Sequence, residues 1–291
     1  MKIVVTFADA LKLAIERHHA RDYPQAETIL KRLAETKPEH EVVRDTLILV
    51  LFLQGKTAEA IALYDETVSQ GAYACDRGYD AIYRRALLAT RNCPSPLRRR
   101  LRFRKLLYLL SHTLELDGCV AECGCFRGMS SYLILSMLRR HDPKFDGHGY
   151  HVFDSFQGLS RPTEEDEVGD SEPNAENLKK MSTRGAFRAS LEEVKEALSE
   201  FPLVEYHPGW FPLSFSGLPE RQYRFVHLDV DLYDPTLAAL EYFHPRMTRG
   251  GIIVSDDYSW PGARLAIEEY CGREGAGYTV TEHAQAVIVC K

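Results

Sequence analysis

The sequence predicts an α/β chain: an all-helical segment over residues 1–95, then, over 96–291, a mostly parallel sheet with helices on both faces and an antiparallel edge strand. Three observations carry this expectation. The first 90 residues hold almost no glycine, and their apolar residues recur at helical spacing. Two prolines in "NCPSP", 92–96, then interrupt the helical pattern. From residue 118 onward, short apolar runs alternate with helical stretches.

Within the helical segment, "RDYPQAETILKRLAETKP" (21–38) and "GKTAEAIALYDETVSQGA" (55–72) superpose at a shift of 34 residues, 21 onto 55. The shift also pairs Leu13 with Leu47, Ala14 with Ile48 and Ala26 with Ala60. This is the period of the helix–turn–helix tetratricopeptide repeat, which the segment resembles over roughly two units. Tyr23 and Pro38 fit that pattern, whereas Thr57 and Ala72 depart from it; a bare pair of helical hairpins is the alternative. Two repeats bury little core alone, so "YDAIYRRALLATR" (79–91) is expected to cap the stack. "QGKT" at 54–57 is not a phosphate loop, because the glycine required five residues before Gly55 is Val50. The helices carry no catalytic constellation and are expected to supply a homo-oligomer interface or shape an acceptor entrance.

Composition narrows the function. With 36 basic against 42 acidic residues the formal net charge is -6, which leaves no electrostatic footprint for nucleic acid. No basic, apolar leader opens the chain and no apolar run approaches a membrane span, so no membrane partner is expected. Seven scattered cysteines fit a reducing cytoplasm. Cys119, Cys123 and Cys125 read as small buried hydrophobes rather than zinc ligands. Six of the eight residues from Arg98 to Lys105 are basic, and in an acidic protein this reads as the solvated face of a helix.

The predicted strands are "GCVAECG", "GYHVFDSF", "LVEYHP", "YRFVHLDV" and "GGIIVSDD", with helices over 129–140, 190–200, 236–246 and 261–272; "YTVTEH" and "AVIVCK" close the chain as an edge hairpin. In such sheets ligands bind beyond the carboxyl ends of the strands. The first strand ends in "VAECGCFRGMSS", where Glu122 precedes the turn Gly124-x-x-x-Gly128. That spacing differs from the turn that admits a dinucleotide pyrophosphate, and the acid could take up an ammonium group. Asp154 ends the second strand, placed to accept both hydroxyls of a ribose. An amine and a ribose together describe S-adenosylmethionine.

Read in order, "VAECGCFRGMSS", "FDSFQGL", "GAFRASLEEVKEAL", "HPGWF", "FVHLDVDLYDPT" and "GGIIVSDDYSWPGAR" resemble the macrocin O-methyltransferase family of class I S-adenosylmethionine-dependent methyltransferases. The resemblance covers about residues 100–291 and implies a Rossmann-like sheet and methyl transfer to a hydroxyl of a sugar or glycosylated natural product. It implies that Glu122, Gly124, Gly128 and Ser130 hold the methionine end, Asp154 the ribose with Ser155 beside it, and Gly209 and Trp210 the adenine surroundings. The more distant likeness to catechol O-methyltransferase places its metal ligands on Asp229, Asp256 and Asp257. The helical segment lies outside the resemblance.

Charge supports that ligand set. Asp229 closes one strand and Asp256 with Asp257 the next, so adjacent strand ends bring three carboxylates together; a hard divalent cation, Mg²⁺ first, relieves their repulsion. Without metal, Asp256→Asn is therefore expected to be neutral or stabilising. Asp234, followed by Pro235, reads instead as a helix cap. Asp231, two residues beyond Asp229, is the candidate general base, with a loop-starting polar residue as its plain alternative. Leu232 stands where catechol methyltransferases place a lysine. The segment 160–185, with seven acidic residues between 164 and 176, is expected to be a surface loop or a lid that orders on binding. His227 shares a strand face with Asp229 and lines the site or sits hydrogen-bonded in the core; none of the histidines shows metal-ligand spacing in sequence. The competing class is an interaction scaffold with a non-catalytic methyltransferase fold, and a nicotinamide oxidoreductase is disfavoured by the glycine spacing.

Overall fold

The structure is a computed structural model that describes residues 6–69, 75–172 and 175–291; Ala72 of the repeat comparison lies outside the described residues. Two compact units divide the chain. One holds the residues up to Leu87 with Arg91–Leu101, and the other Leu88–Thr90 with Arg102–Lys291.

The first unit is helical: α1 (Phe7–His19), α2 (Tyr23–Thr36), α3 (Glu41–Leu53), α4 (Thr57–Val68) and α5 (Arg77–Thr90), followed by the start of α6 (Arg99–Ser111). Sequential neighbours from α1 to α4 pack on one another. Side-chain caps start several of the helices. Thr6 and Asp9 cap α1 reciprocally, and Asp22 and Asp76 accept from the first-turn amides of α2 and α5. The 34-residue shift carries Ala14 onto Ile48 and Ala26 onto Ala60, all fully buried, and it carries the left-handed turn residue Arg21 onto Gly55. Leu13 breaks the match, being 39% exposed where Leu47 is buried. α5 stacks Tyr83 on Tyr64 of α4 at 5.9 Å.

The basic run departs from its expected solvated face. Arg100 is 1% exposed; it donates to the Tyr64 hydroxyl at 2.8 Å and to Asp80, and its guanidinium lies against the rings of Tyr64, Tyr79 and Tyr83. The physical reason is that an acid and three aromatic faces compensate the buried charge.

The second unit runs β1 (Cys119–Cys123), α7 (Met129–His141), β2 (Tyr150–Asp154), α8 (Ala175–Met181), α9 (Leu191–Ala197), β3 (Glu205–Pro208), β4 (Tyr223–Leu228), α10 (Tyr233–Phe243), β5 (Met247–Ser255), α11 (Pro261–Glu274), β6 (Tyr278–Val280) and β7 (Ala286–Val289). The sheet order is β3-β2-β1-β4-β5-β7-β6. β1 to β5 are parallel, β7 runs antiparallel to β5, and β6 pairs antiparallel with β7. The strand order reverses between β1 and β4, the place where open α/β sheets bind ligands. One face buries Ala121, Cys123, Phe153, Val226 and Leu228 against Phe215 and Phe243. The other carries Glu122 opposite His227, a polar interior. Among the described residues no helix is long and apolar enough to cross a membrane.

Candidate active site

The turn after β1 explains its first glycine. Gly124 has φ +80°, and a Cβ there would meet the Asp229 carbonyl oxygen at 2.0 Å, so only glycine lets the turn and the end of β4 touch. The Asp229 amide donates to the Cys123 carbonyl at 2.9 Å across the same contact. Gly128, φ +81°, starts α7, whose first turn holds the buried Ser130.

Asp154, half-buried at the end of β2, accepts from the amides of Cys125 (2.8 Å) and Phe156 (2.7 Å). Ser155 donates to the Gly158 carbonyl at 2.8 Å, and the Gly209 amide donates to the Asp154 carbonyl at 3.0 Å. Gly124, Gly128, Asp154, Ser155, Gly209 and the half-buried Trp210 thus follow the carboxyl ends of β1, β2 and β3. Glu122 does not join them. It is fully buried, accepting from Ser131, from the Tyr150 hydroxyl at 2.9 Å and facing His227 Nδ1 at 2.9 Å. Its oxygens are therefore spent inside the protein, and the expected contact with a donor ammonium finds none of them exposed.

The aspartates beyond β4 and β5 divide into two kinds. Asp229, Asp231 and Asp257 each offer an oxygen, all within 4.8 Å of one another. Asp231 sits at φ +63°, a strained conformation for a residue with a Cβ, and its amide donates to Asp257 at 2.9 Å. Burial, then the charge of Asp229, pushes the Asp231 carboxyl up to about 8. Burial, then Asp256, raises Asp229; burial, then Asp231 and Asp229, raises Asp257 well above the carboxylate range. An all-oxygen set that resists carrying its own negative charge is chemically fitted to a hard divalent cation.

Asp256 is set apart by its partners rather than by its place, since it, Asp229 and His227 each offer a ligand atom within 4.8 Å of one another. Its side chain is fully buried, 3.0 Å from Arg102 Nε, accepting from Gln285 Nε2 at 2.6 Å and 3.4 Å from His227 Nε2. Burial alone would raise its carboxyl, but Arg102 and His227 outweigh burial and hold it well below the usual range. His227 answers in kind: burial would lower it, yet Asp256 and then Glu122 raise it well above its ordinary value. Arg102, partly exposed, thus leads into a buried line of Asp256, His227 and Glu122 across the ends of β5, β4 and β1. His227, expected either to line the site or to sit in the core, is the core residue, with no exposure.

Sequence reasoning missed Arg102 and Gln285. Arg102 was visible only as one of six basic residues, and nothing in that run distinguishes it. It also missed Asp166. In the acidic segment, Asp166 is 6% exposed, accepts from the Tyr233 amide at 2.7 Å and caps α10 from outside, while Arg264 pairs with Glu172 at 2.7 Å. Asp234, the expected cap, lies inside the first turn of α10.

The model of the macrocin-O-methyltransferase (TylF) family matches residues 98–283. A curated 8-demethyl-8-(2,3-dimethoxy-alpha-L-rhamnosyl)-tetracenomycin-C 4'-O-methyltransferase of Streptomyces olivaceus is 32% identical over 170 residues, 57% of this chain and 62% of that protein, so the match spans less than two thirds of this relative. The mycinamicin III 3''-O-methyltransferase of Micromonospora griseorubida is 30% identical over 188 residues, 61% of this chain and 72% of that one. Among solved structures, the O-methyltransferase NovP superposes with a TM-score of 0.54 at 23% identity, covering 65% of this chain and 79% of its own. At that identity the likeness shows the fold.

Proposed function

The chain belongs to the macrocin-O-methyltransferase family, and from that premise we propose that it moves the methyl group of S-adenosylmethionine to a hydroxyl of a sugar or glycosylated natural product, with a divalent cation at Asp229, Asp231 and Asp257. The observation that carries this reading is the clustering of those three carboxylates beside the glycine turn. The donor is a sulfonium that leaves as a neutral thioether, so the difficulty lies in making the acceptor oxygen nucleophilic. The turn from Gly124 to Gly128, with Asp154, Ser155, Gly209 and Trp210 at the neighbouring strand ends, holds the donor in this reading. A bound Mg²⁺ would make the acceptor hydroxyl more acidic. Asp231 gives one oxygen to the cluster and keeps the other to receive the acceptor's proton. Leu232 is buried, so no side chain at that position takes the proton instead. The Arg102–Asp256 pair anchors the strand end from which Asp257 projects.

Isotopically labelled donor, supplied with a panel of glycosylated acceptors, tests the proposal. Label should pass to an acceptor hydroxyl in Mg²⁺, stop in excess chelator and return on adding metal. Asp257→Asn should keep donor binding and lose transfer by on the order of 10² or more. Full turnover in chelator would remove the cation from the reading. Tight binding of a nicotinamide dinucleotide, with none of S-adenosylmethionine, would remove the reaction itself.

A further inference from the structure

We propose that His151, Glu205 and His207 form a second metal site, at the β2–β3 edge of the sheet, suited to Zn²⁺ or a similar borderline ion. It is independent of the carboxylate cluster and of the proposed reaction.

The strands create it. β2 and β3 are parallel neighbours with His151 opposite Glu205 and Phe153 opposite His207. Alternation therefore puts His151, Glu205 and His207 on one face of the sheet and Asp154 on the other. His151 Nδ1 lies 3.1 Å from His207 Nε2 and 3.7 Å from Glu205 Oε2, and one ligand atom from each residue falls within 4.8 Å of the others. A tetrahedral zinc ion, with Zn–N of about 2.0–2.1 Å, spaces its ligand atoms roughly 3.3 Å apart. The cluster is already near that spacing.

The rings are also held. His151 has no exposure, and the ring of His207 stacks on Phe153 at 4.3 Å and 15°. His151 Nε2 is buried without a hydrogen-bond partner, so its polar contacts among the described residues all lie in this cluster. Burial lowers both histidines, His151 to about 4, which leaves neutral imidazoles available as ligands at neutral pH. Glu205 is 45% exposed and gives the ion an entry path.

Arg221 is the competing charge. Its Nη2 sits 3.2 Å from Glu205 Oε2. It would remain as the outer partner of a ligating carboxylate, as such hydrogen bonds commonly orient metal ligands. Two nitrogens and one oxygen favour a borderline transition ion, whereas the three aspartates favour Mg²⁺. Because β3 is the edge strand and, among the described residues, pairs with β2 alone, occupation would staple that edge.

The test uses the full chain, stripped of metal and held in excess Mg²⁺ to saturate oxygen sites, titrated with Zn²⁺ by calorimetry and with Co²⁺ by visible absorption. The expected result is one Zn²⁺ per chain, a tetrahedral Co²⁺ spectrum without a thiolate band, and a higher melting temperature. Glu205→Gln and His207→Gln should each weaken binding by at least about tenfold. Glu205 is exposed, so its variant decides the matter should His207→Gln not fold. No stoichiometric binding, binding unchanged in the folded variants, or an intense near-ultraviolet thiolate band from the seven free cysteines would each overturn the proposal.

Discussion

Asp256 and Asp257 are neighbours in the chain and opposites in charge preference, because one faces Arg102 and the other faces Asp229 and Asp231. Asp256 repels Asp229 as expected, but its own charge is answered by partners 154 and 29 residues away, Arg102 and Gln285. Sequence shows charges at strand ends, since strand ends are marked by glycines and apolar runs; it does not show which distant cation reaches them. Glu122 is likewise answered from inside, by Ser131, Tyr150 and His227. The consequence is measurable. Asp256→Asn, expected from sequence to be neutral or stabilising without metal, should instead cost about 3–5 kcal/mol, because it strands a guanidinium and an imidazolium against one another. The urea midpoint in chelator at pH 7 reads this directly. A midpoint equal to or above wild type would mean that the Arg102 pair contributes nothing.

At the scale of elements, amphipathic spacing and caps located the helices well, while their starts depended on partners the spacing does not reveal. α10 begins at Tyr233 rather than 236 because Asp166 accepts from the Tyr233 amide, and Gly262 of α11 leaves room for it: a Cβ there would meet Asp166 at 1.9 Å. Asp166→Ala should cost about 1 kcal/mol through the lost cap and speed amide exchange over residues 160–172. Unchanged exchange there would mean the segment is held by Glu172 and Arg264 instead. In the helical unit, Glu27 joins α2 to the α3–α4 turn by accepting from Lys56 (2.6 Å) and Gln54 (2.8 Å), with Lys31 at 2.6 Å. Burial opposes ionisation, but these donors win and hold its carboxyl down to about 2. A depressed folded value means stability that is complete above the unfolded value, near 4.5, and lost as pH falls through about 2. Glu27→Gln should therefore destabilise by on the order of 1–3 kcal/mol at pH 7, and the gap from wild type should close between pH 4.5 and 2. A gap independent of pH would assign the loss to packing.

For the whole molecule, the alternating pattern was enough to specify the sheet: five parallel strands with a closing antiparallel hairpin follow from apolar runs, glycine turns and helical intervals. The division of the chain was harder to read. The prolines at 94 and 96 mark an interruption of the helices, but the second compact unit takes Leu88–Thr90 of α5 and then resumes at Arg102, inside α6. Side chains decide this, since Arg100 is buried with Tyr64 and Asp80 whereas Arg102 pairs with Asp256. All seven strands and every candidate donor and cation residue lie in the second unit, and the family match begins only at residue 98. We therefore propose that residues 88–291 expressed alone fold cooperatively and bind S-adenosylmethionine as the full chain does, while assembly state or acceptor turnover changes. Calorimetry with donor and light scattering on both forms check this. Loss of donor binding in a folded 88–291 would give the helical unit a part in the donor site. Unchanged assembly and unchanged turnover would show that the helices serve neither.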